Sequence, residues 1–176
     1  MQSIKLIPLT KGKFAVVDAH NFERLNQWKW RFSSDYAVRW APREAGKPRA
    51  LLFMHKVILG IGPDQTGDHI SGDRLLNTEE NLRKCVEGQN LKNRRRPKNN
   101  SSGFKGASWE RESKRWRLKF VCDGKLLFNR RFKTAEAAGR KYDELAKLHY
   151  GPFARLNFPR AKSPCRRPNK PNGSLK

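Results

Sequence analysis

Apolar positions in this chain fall into short runs with two different periods. Residues 3–17, SIKLIPLTKGKFAVV, cluster and alternate apolar and β-branched side chains about Lys11-Gly12, which predicts a β-hairpin. Asp18 then stands where a helix cap belongs, and a short helix through Asn21 to Gln27 puts Phe22 and Leu25 on one side. From Trp28 the segment WKWRF returns to strand-like alternation, so Trp28, Trp30 and Trp40 are read as core aromatics rather than platforms for bases. The run RALLFMHKVIL changes from strand-like to helix-like around Met54, carries His55, and is broken by GIGPDQTG. Beyond it, Asp73 and Asn77 punctuate a turn, and the periodicity of NLRKCVEGQN suggests a helix from Asn81 to Asn90.

The second half reads differently. LKNRRRPKNNSSG has five cations within Lys92 to Lys98 and then a polar run with no core-forming residue, the composition of a linker, and Arg94, Arg95 and Arg96 in it are candidate phosphate contacts. From Gly103 a small sheet is expected, with Trp116, Leu118 and Phe120 alternating against Arg115, Arg117 and Lys119 and a turn at Asp123-Gly124. Thr134 caps a helix whose Ala138, Tyr142, Leu145 and Leu148 can cover the apolar face, and Gly151 ends it. The pattern divides the chain into a domain at 1–91, a basic linker at 92–102, a second domain at 103–159 and a basic, disordered tail at 160–176.

Charge narrows the function. Thirty-nine Lys and Arg against 16 Asp and Glu give a formal net charge of +23 in 176 residues, beyond any solubility need, so the expected partner is a polyanion, with nucleic acid first. A membrane surface is disfavoured, because no apolar run approaches about 18 residues and no basic helix has a wide apolar face. The three cysteines, Cys85, Cys122 and Cys165, form no C-x-x-C pair. They read as free thiols, and with no secretory signal apparent the expected location is cytoplasmic.

Chemistry concentrates in GDHISGDRLLNTEENLRKCVEGQN, residues 67–90. Asp68 beside His69 at a turn can hold a divalent cation through oxygen while the imidazole faces water. Asn90 can add a carboxamide oxygen, and hard oxygen ligands favour Mg²⁺ or Mn²⁺ over zinc. Neutral His69 can then take the proton of an attacking water, which is phosphodiester hydrolysis. Asn81, twelve residues after His69, has an equally good reading as a residue that holds the turn through backbone hydrogen bonds.

MHKVILG, GDHISGDRLLNTEENLR and the following QN resemble phage HNH homing endonucleases of the ββα-metal fold. His69, Asn81 and Asn90 stand at the three signature positions, the third being Asn where other branches carry His. The resemblance covers residues 7–90. It implies Asp68 and Asn90 as metal ligands, His69 as general base and Asn81 as the brace of the loop, while His55 matches an upstream His on the phosphate side or in support of the site. The second half, SGFKGASWERESKRWRLKF with FKTAEAAGRKYDELAKLHYGPFARLNFP, resembles the Apetala-type, or ethylene-response-factor, DNA-binding domain. That likeness makes Lys105, Trp109, Arg111, Arg115, Arg117, Lys119 and Arg130 candidate DNA contacts. Leu126 and Phe128 stand where plant members place Arg and Trp, and Arg130 replaces a frequent Gly, so the plant target sequence does not carry over.

The two resemblances imply an α+β protein, a ββα-metal nuclease domain followed by a small three-stranded antiparallel sheet packed on one helix. The expected function is a metal-dependent, site-selective DNA endonuclease of the phage homing type, cutting one strand of double-stranded DNA as a monomer or a DNA-induced dimer in the bacterial host cell. A non-catalytic DNA-binding regulator is the alternative from another class, and the charge alone also allows a structured-RNA binder.

Overall fold

β1 (Ile4–Pro8) and β2 (Phe14–Asp18) form the expected hairpin, with Leu6 opposite Val16 and a tight turn in which Lys11 and Gly12 both have φ of 61°. The computed structural model describes residues 3–159 except 63, 87 and 98. The tail expected at 160–176, Lys98 of the linker and Cys165 lie outside the described residues. The described chain is mixed α and β, with several small sheets and few helices, and it divides into two units, residues 3–85 and 86–159.

In the first unit α1 (Ala19–Asn26) follows β2 directly and buries Leu25. Asp18 occupies the N-cap position but its side chain makes no bond to the helix. Its Oδ2 instead accepts the Glu79 backbone N–H at 2.7 Å, so the cap expected from the sequence is a cross-link between distant segments. β3 (Arg31–Ser33), β4 (Tyr36–Trp40) and β5 (Leu51–Phe53) make an antiparallel sheet. Trp30 is buried and donates to the Leu25 carbonyl at 2.8 Å. Trp28 and Trp40 are 41% and 42% exposed, which corrects their assignment to the core. Each is covered by a guanidinium, Arg39 over Trp28 at 4.2 Å and Arg31 over Trp40 at 5.1 Å, a contact that satisfies an aromatic face without burying it.

α2 (Met54–Leu59) begins where the apolar period changes, and Gly60 ends it with φ of 60°. β6 (Thr66–His69) leads into a loop, then β7 (Leu76–Asn77) runs parallel to β2, then a 3-10 turn spans Glu79–Asn81. β8 (Leu82–Cys85) pairs antiparallel with β6, Asp68 opposite Arg83 and His69 opposite Leu82. The helix expected from Asn81 to Asn90 is therefore a turn, a strand and, after Gly88 at φ of 91°, the single-turn α3 (Gln89–Lys92). A four-residue stretch is too short to declare its period. Pairing with β6 and the Asp68–Arg83 ion pair decide the outcome.

In the second unit β9 (Ala107–Glu110), β10 (Arg115–Cys122) and β11 (Lys125–Phe132) form an antiparallel sheet in the order β11-β10-β9. Asp123 and Gly124, with φ of 49° and 77°, make the tight turn between the last two strands. α4 (Ala135–Tyr150) is capped by Thr134, whose hydroxyl accepts the Ala137 N–H at 3.1 Å. Ala138, Tyr142 and Ala146 of the helix pack on Leu118, Phe120 and Cys122. Leu148 is 76% exposed and leaves the expected stripe, because the i, i+4, i+8 row that faces the sheet continues through Ala146.

The segment after α4 is tied back by two polar side chains. Asp143 accepts the N–H groups of Asn157 and Phe158, each at 2.8 Å, and the Asn157 carboxamide accepts from Lys105 N–H at 2.6 Å while donating to the Gly139 carbonyl at 3.2 Å. Cys85 and Cys122 are free thiols. No helix among the described residues is long and apolar enough to cross a membrane.

Gly106 sits under this clamp with φ of 88°, and a Cβ there would stand 2.4 Å from Tyr142 Cδ2. We expect Gly106→Ala to destabilise the protein by about 1–3 kcal/mol through overpacking. Thermal unfolding followed by circular dichroism measures this, and an unchanged melting temperature would contradict it.

Candidate functional site

The first unit gathers its polar chemistry around the end of β6. Asp68 and His69 are both buried, at 5% and 4% exposure, although they sit beside a polar loop. Asp68 accepts from Arg83 Nε at 2.9 Å and Nη2 at 2.6 Å, both through Oδ2, so the guanidinium fixes the carboxylate's orientation. His69 Nε2 lies 3.2 Å from Asn77 Oδ1. A carboxamide oxygen only accepts, so this contact selects the tautomer with the proton on Nε2 and puts the basic lone pair on Nδ1.

Asn77 serves His69 at a cost, because its Nδ2 is buried without a partner among the described residues. An orphaned buried donor costs about 1–3 kcal/mol. The sequence reading of Asn77 as turn punctuation is thereby corrected: it is a fully buried strand residue whose carboxamide orients an imidazole. Asp73 does hold the turn, its Oδ1 accepting the Leu75 N–H at 3.1 Å.

Asn81 is completely buried. Its Oδ1 accepts the Ser71 N–H at 2.9 Å, its Nδ2 donates to the Leu76 carbonyl at 2.7 Å, and its own carbonyl accepts the Ile70 N–H at 2.8 Å. One side chain thus spans the loop that leaves His69 and returns as β7.

His55, from α2, meets this cluster edge-on. Its ring centroid is 4.9 Å from that of His69 and 5.4 Å from that of Tyr36, which is in turn 6.1 Å from His69. The backbone makes room for it at Gly67, where a Cβ would stand 2.9 Å from His55 Cδ2 and 2.9 Å from Leu59 Cδ1. Burial first, then the charges of His69, Lys56 and Arg74, hold the His55 imidazole down to about 3. Burial also lowers the His69 pKa, against the opposing pull of the Asn77 hydrogen bond and the carboxylates of Asp68 and Asp73. Both imidazoles are therefore neutral at pH 7.

The structure brings together His55, Asp68, His69 and Asn81. Asn90 is an exposed residue of α3 and belongs to the second unit. Asn77, Arg83 and Tyr36 were not singled out as site residues by the sequence. Arg83 carried a usable signal, since it stands in the segment just after Asn81, but Tyr36 lies more than thirty residues upstream and no local pattern connects it to His69.

A second polar cluster lies at the end of β2. Ligand-bearing atoms of Asp18, His20 and Glu79 fall within 4.8 Å of one another. Sequence reasoning missed it, because His20 and Glu79 are 59 residues apart.

In the second unit the strand register sorts the candidate nucleic-acid contacts by face. Leu118 faces the helix, so Arg115, Arg117 and Lys119 point to the other side. Opposite them stand Glu110, Ser108, Asn129 and Arg131. Arg130 pairs with Leu118 and Trp109 with Trp116, which puts both on the helix-facing side, where Trp109 meets Trp116 edge-on at 5.1 Å. Arg111 is exposed in the turn after β9. Glu110 pairs with Arg131 and lies 3.7 Å from Arg117, and its carboxyl is held down to about 2, chiefly by the Arg131 hydrogen bond. Lys105 is turned inward: its ammonium donates to the carbonyls of Lys92 and Arg94 at 3.1 and 2.8 Å, and burial lowers its pKa to about 8. Arg95, Arg96 and Arg155 line a pocket of about 460 Å³, with Arg94 exposed beside them in the chain.

The chain is 38% identical to Protein 3.8 of Escherichia phage T7 over 89 residues, which is 51% of this chain and 73% of that protein. It is 30% identical to an uncharacterized HNH endonuclease of Acanthamoeba polyphaga mimivirus over 150 residues, 84% of this chain and 76% of the relative. A third similarity, 38% over 73 residues, is to dehydration-responsive element-binding protein 2A of Arabidopsis thaliana, and spans 40% of this chain but only 22% of the plant protein. No family model matches the chain, and no solved structure matches it.

The depressed pKa of His55 links the site to stability. Between about pH 6.5 and about 3 the unfolded chain takes a proton on His55 that the folded chain does not, so stability falls as pH drops through that window. Denaturant unfolding of wild type and His55→Gln at pH 7 and pH 4.5 tests this. The wild type should lose more stability on acidification than the variant, and equal losses would remove His55 as the cause.

Proposed function

The chain belongs to the HNH endonuclease family, and from that premise we propose that it is a metal-dependent DNA endonuclease whose first unit hydrolyses a phosphodiester bond and whose second unit holds the duplex. The observation that carries this reading is His69: a buried imidazole, neutral at pH 7, aligned by Asn77 and adjacent to an oriented carboxylate. A general base needs its lone pair available near the working pH, and burial keeps it so. Asn81 holds the loop so that the imidazole and carboxylate keep one geometry, and His55 supports the ring from behind.

The donor set fits a hard divalent ion. Mg²⁺ asks one or two carboxylates of a protein and fills its remaining positions with water and phosphate oxygens, and Asp68 offers such a carboxylate. When bound, Mg²⁺ or Mn²⁺ supplies positive charge to the scissile phosphate and the leaving oxygen. His69 takes the proton of the attacking water, while Arg83 keeps Asp68 from turning away. One such site per chain cuts one strand, the activity of a nickase. The similarity to the phage protein supports a role in an infected bacterial cell.

The second unit's contribution follows from its outward face. Arg115, Arg117, Lys119 and Arg131 form a cationic surface for a duplex, and the arginines of residues 94–96 add phosphate contacts. The similarity to the plant element-binding protein, which covers 40% of this chain, supports duplex DNA as the ligand.

Two outcomes are expected. His69→Ala should lower cleavage of plasmid DNA in Mg²⁺ by roughly a hundredfold or more while leaving mobility-shift binding nearly unchanged, and EDTA should stop cutting by the wild type. A variant that folds and still cuts would reject His69 as the base, and binding without any cutting by the wild type would make the protein a regulator. Arg131→Ala should weaken DNA binding and lower its salt slope by about one, whereas Arg130→Ala, on the helix-facing side, should do less. The reverse ranking would place the DNA on the other surface.

A further inference from the structure

We propose that the first unit carries a second divalent-metal site, made by Asp18, His20 and Glu79, which takes a transition-type cation such as Mn²⁺, Co²⁺ or Zn²⁺ and clamps the turn bearing Asn81 to the end of β2. It is separate from Asp68 and independent of the nuclease reading.

Asp18 is 1% exposed, and of its two carboxylate oxygens only Oδ2 is satisfied, by the Glu79 N–H. Oδ1 is buried with no hydrogen-bond partner among the described residues. A buried anionic oxygen without a donor is costly in a well-packed fold, and a cation removes that cost. His20 and Glu79 bring two further donors to this carboxylate, one ligand-bearing atom of each of the three residues lying within 4.8 Å of the others. Ligands that share an ion with bonds of about 2.1 Å stand roughly 3 to 4.2 Å apart, so little movement is needed.

The hydrogen-bond pattern around His20 points the same way. Arg24 donates to Asn21 Oδ1 at 2.8 Å, which fixes the carboxamide with its nitrogen toward the cluster. Asn21 Nδ2 then lies 2.8 Å from His20 Nε2 and 3.0 Å from Glu79 Oε1, while His20 Nε2 also lies 2.8 Å from that same oxygen. One imidazole nitrogen therefore faces a donor and an acceptor at equal distance. With a proton on Nε2, an N–H opposes the Asn21 N–H. Without one, a lone pair opposes a carboxylate oxygen. A cation bound by Nε2, Glu79 and Asp18 accepts both lone pairs and leaves the Asn21 amide to donate to Glu79 alone.

One imidazole and two carboxylates favour Mn²⁺, Co²⁺ or Zn²⁺ over Mg²⁺, and their two negative charges balance a dication. Glu79 opens the 3-10 turn that ends in Asn81, while Asp18 closes β2 and His20 lies in the first turn of α1. An ion here joins three segments and steadies the loop that Asn81 spans.

The test uses the full chain, stripped of metal by a chelator and titrated with Mn²⁺ while free Mn²⁺ is read by electron paramagnetic resonance. Mn²⁺ is chosen because the cysteine thiols compete poorly for it. Asp68→Asn serves as the background, to silence the other carboxylate. That variant should take up one Mn²⁺ per chain and melt at a higher temperature with the metal than without. Adding His20→Gln and Glu79→Gln, both on exposed side chains and checked for folding by circular dichroism, should abolish the uptake and the rise in melting temperature. Should the double change disturb folding, Glu79→Gln alone should show the same loss. Equal uptake with and without the Glu79 and His20 changes, or no uptake by Asp68→Asn, overturns the proposal.

Discussion

The first unit depends on a single buried carboxamide. Asn81 accepts from one end of the loop after His69 and donates to the other, so the loop's closure and the orientation of two short strands rest on one side chain. Buried backbone groups must be paired, and Ser71 N–H and Leu76 C=O have that partner because Asn81 reaches both. From that closure the rest follows. β7 can lie against β2, which aims Asn77 at His69, and β8 can lie against β6, which aims Arg83 at Asp68. The chemistry is held by geometry that a two-residue strand could not impose alone.

Much of this was legible in the sequence where a local rule sufficed. The hairpin about Lys11-Gly12, the change from strand to helix at Met54, the Thr134 cap and the Asp123-Gly124 turn each depend on a few neighbouring residues, and each is present. The α+β class was the expectation carried by the two family resemblances, and the described chain is mixed α and β. What the sequence did not reveal depends on distant partners. Leu82 to Cys85 became a strand because β6 offers it an edge, and Asn77 joined the site because β7 pairs with β2. Trp28 and Trp40 stayed at the surface because arginines cover them. Alternation distinguishes faces along one strand but not the register between strands, so the side of the sheet on which Arg130, named from the family likeness, and Arg131 stand became legible only from the pairing of β10 with β11.

Burial has a double use in the first unit. It keeps His55 and His69 from taking protons, and it makes each of them dependent on the packing that buries it. Tyr36, Phe53 and Gly67 are thus part of the site without offering a reactive atom. The same burial that holds both imidazole pKa values down also makes the unit vulnerable to acid.

In the second unit, Glu110, the last residue of the edge strand β9, places an anion on an otherwise cationic face, where it pairs with Arg131 and stands near Arg117. Any polyanion that meets this face does so by exchange, taking a guanidinium from a partner that is tethered beside it and returns the moment contact loosens. A phosphate that takes Arg131 still gains a contact, although a smaller one than an unpaired guanidinium would give. A ligand that also fits the groups around it gains more than the resident carboxylate can offer. Glu110 thus neutralises part of this face, and an anion that takes Arg131 has to displace it.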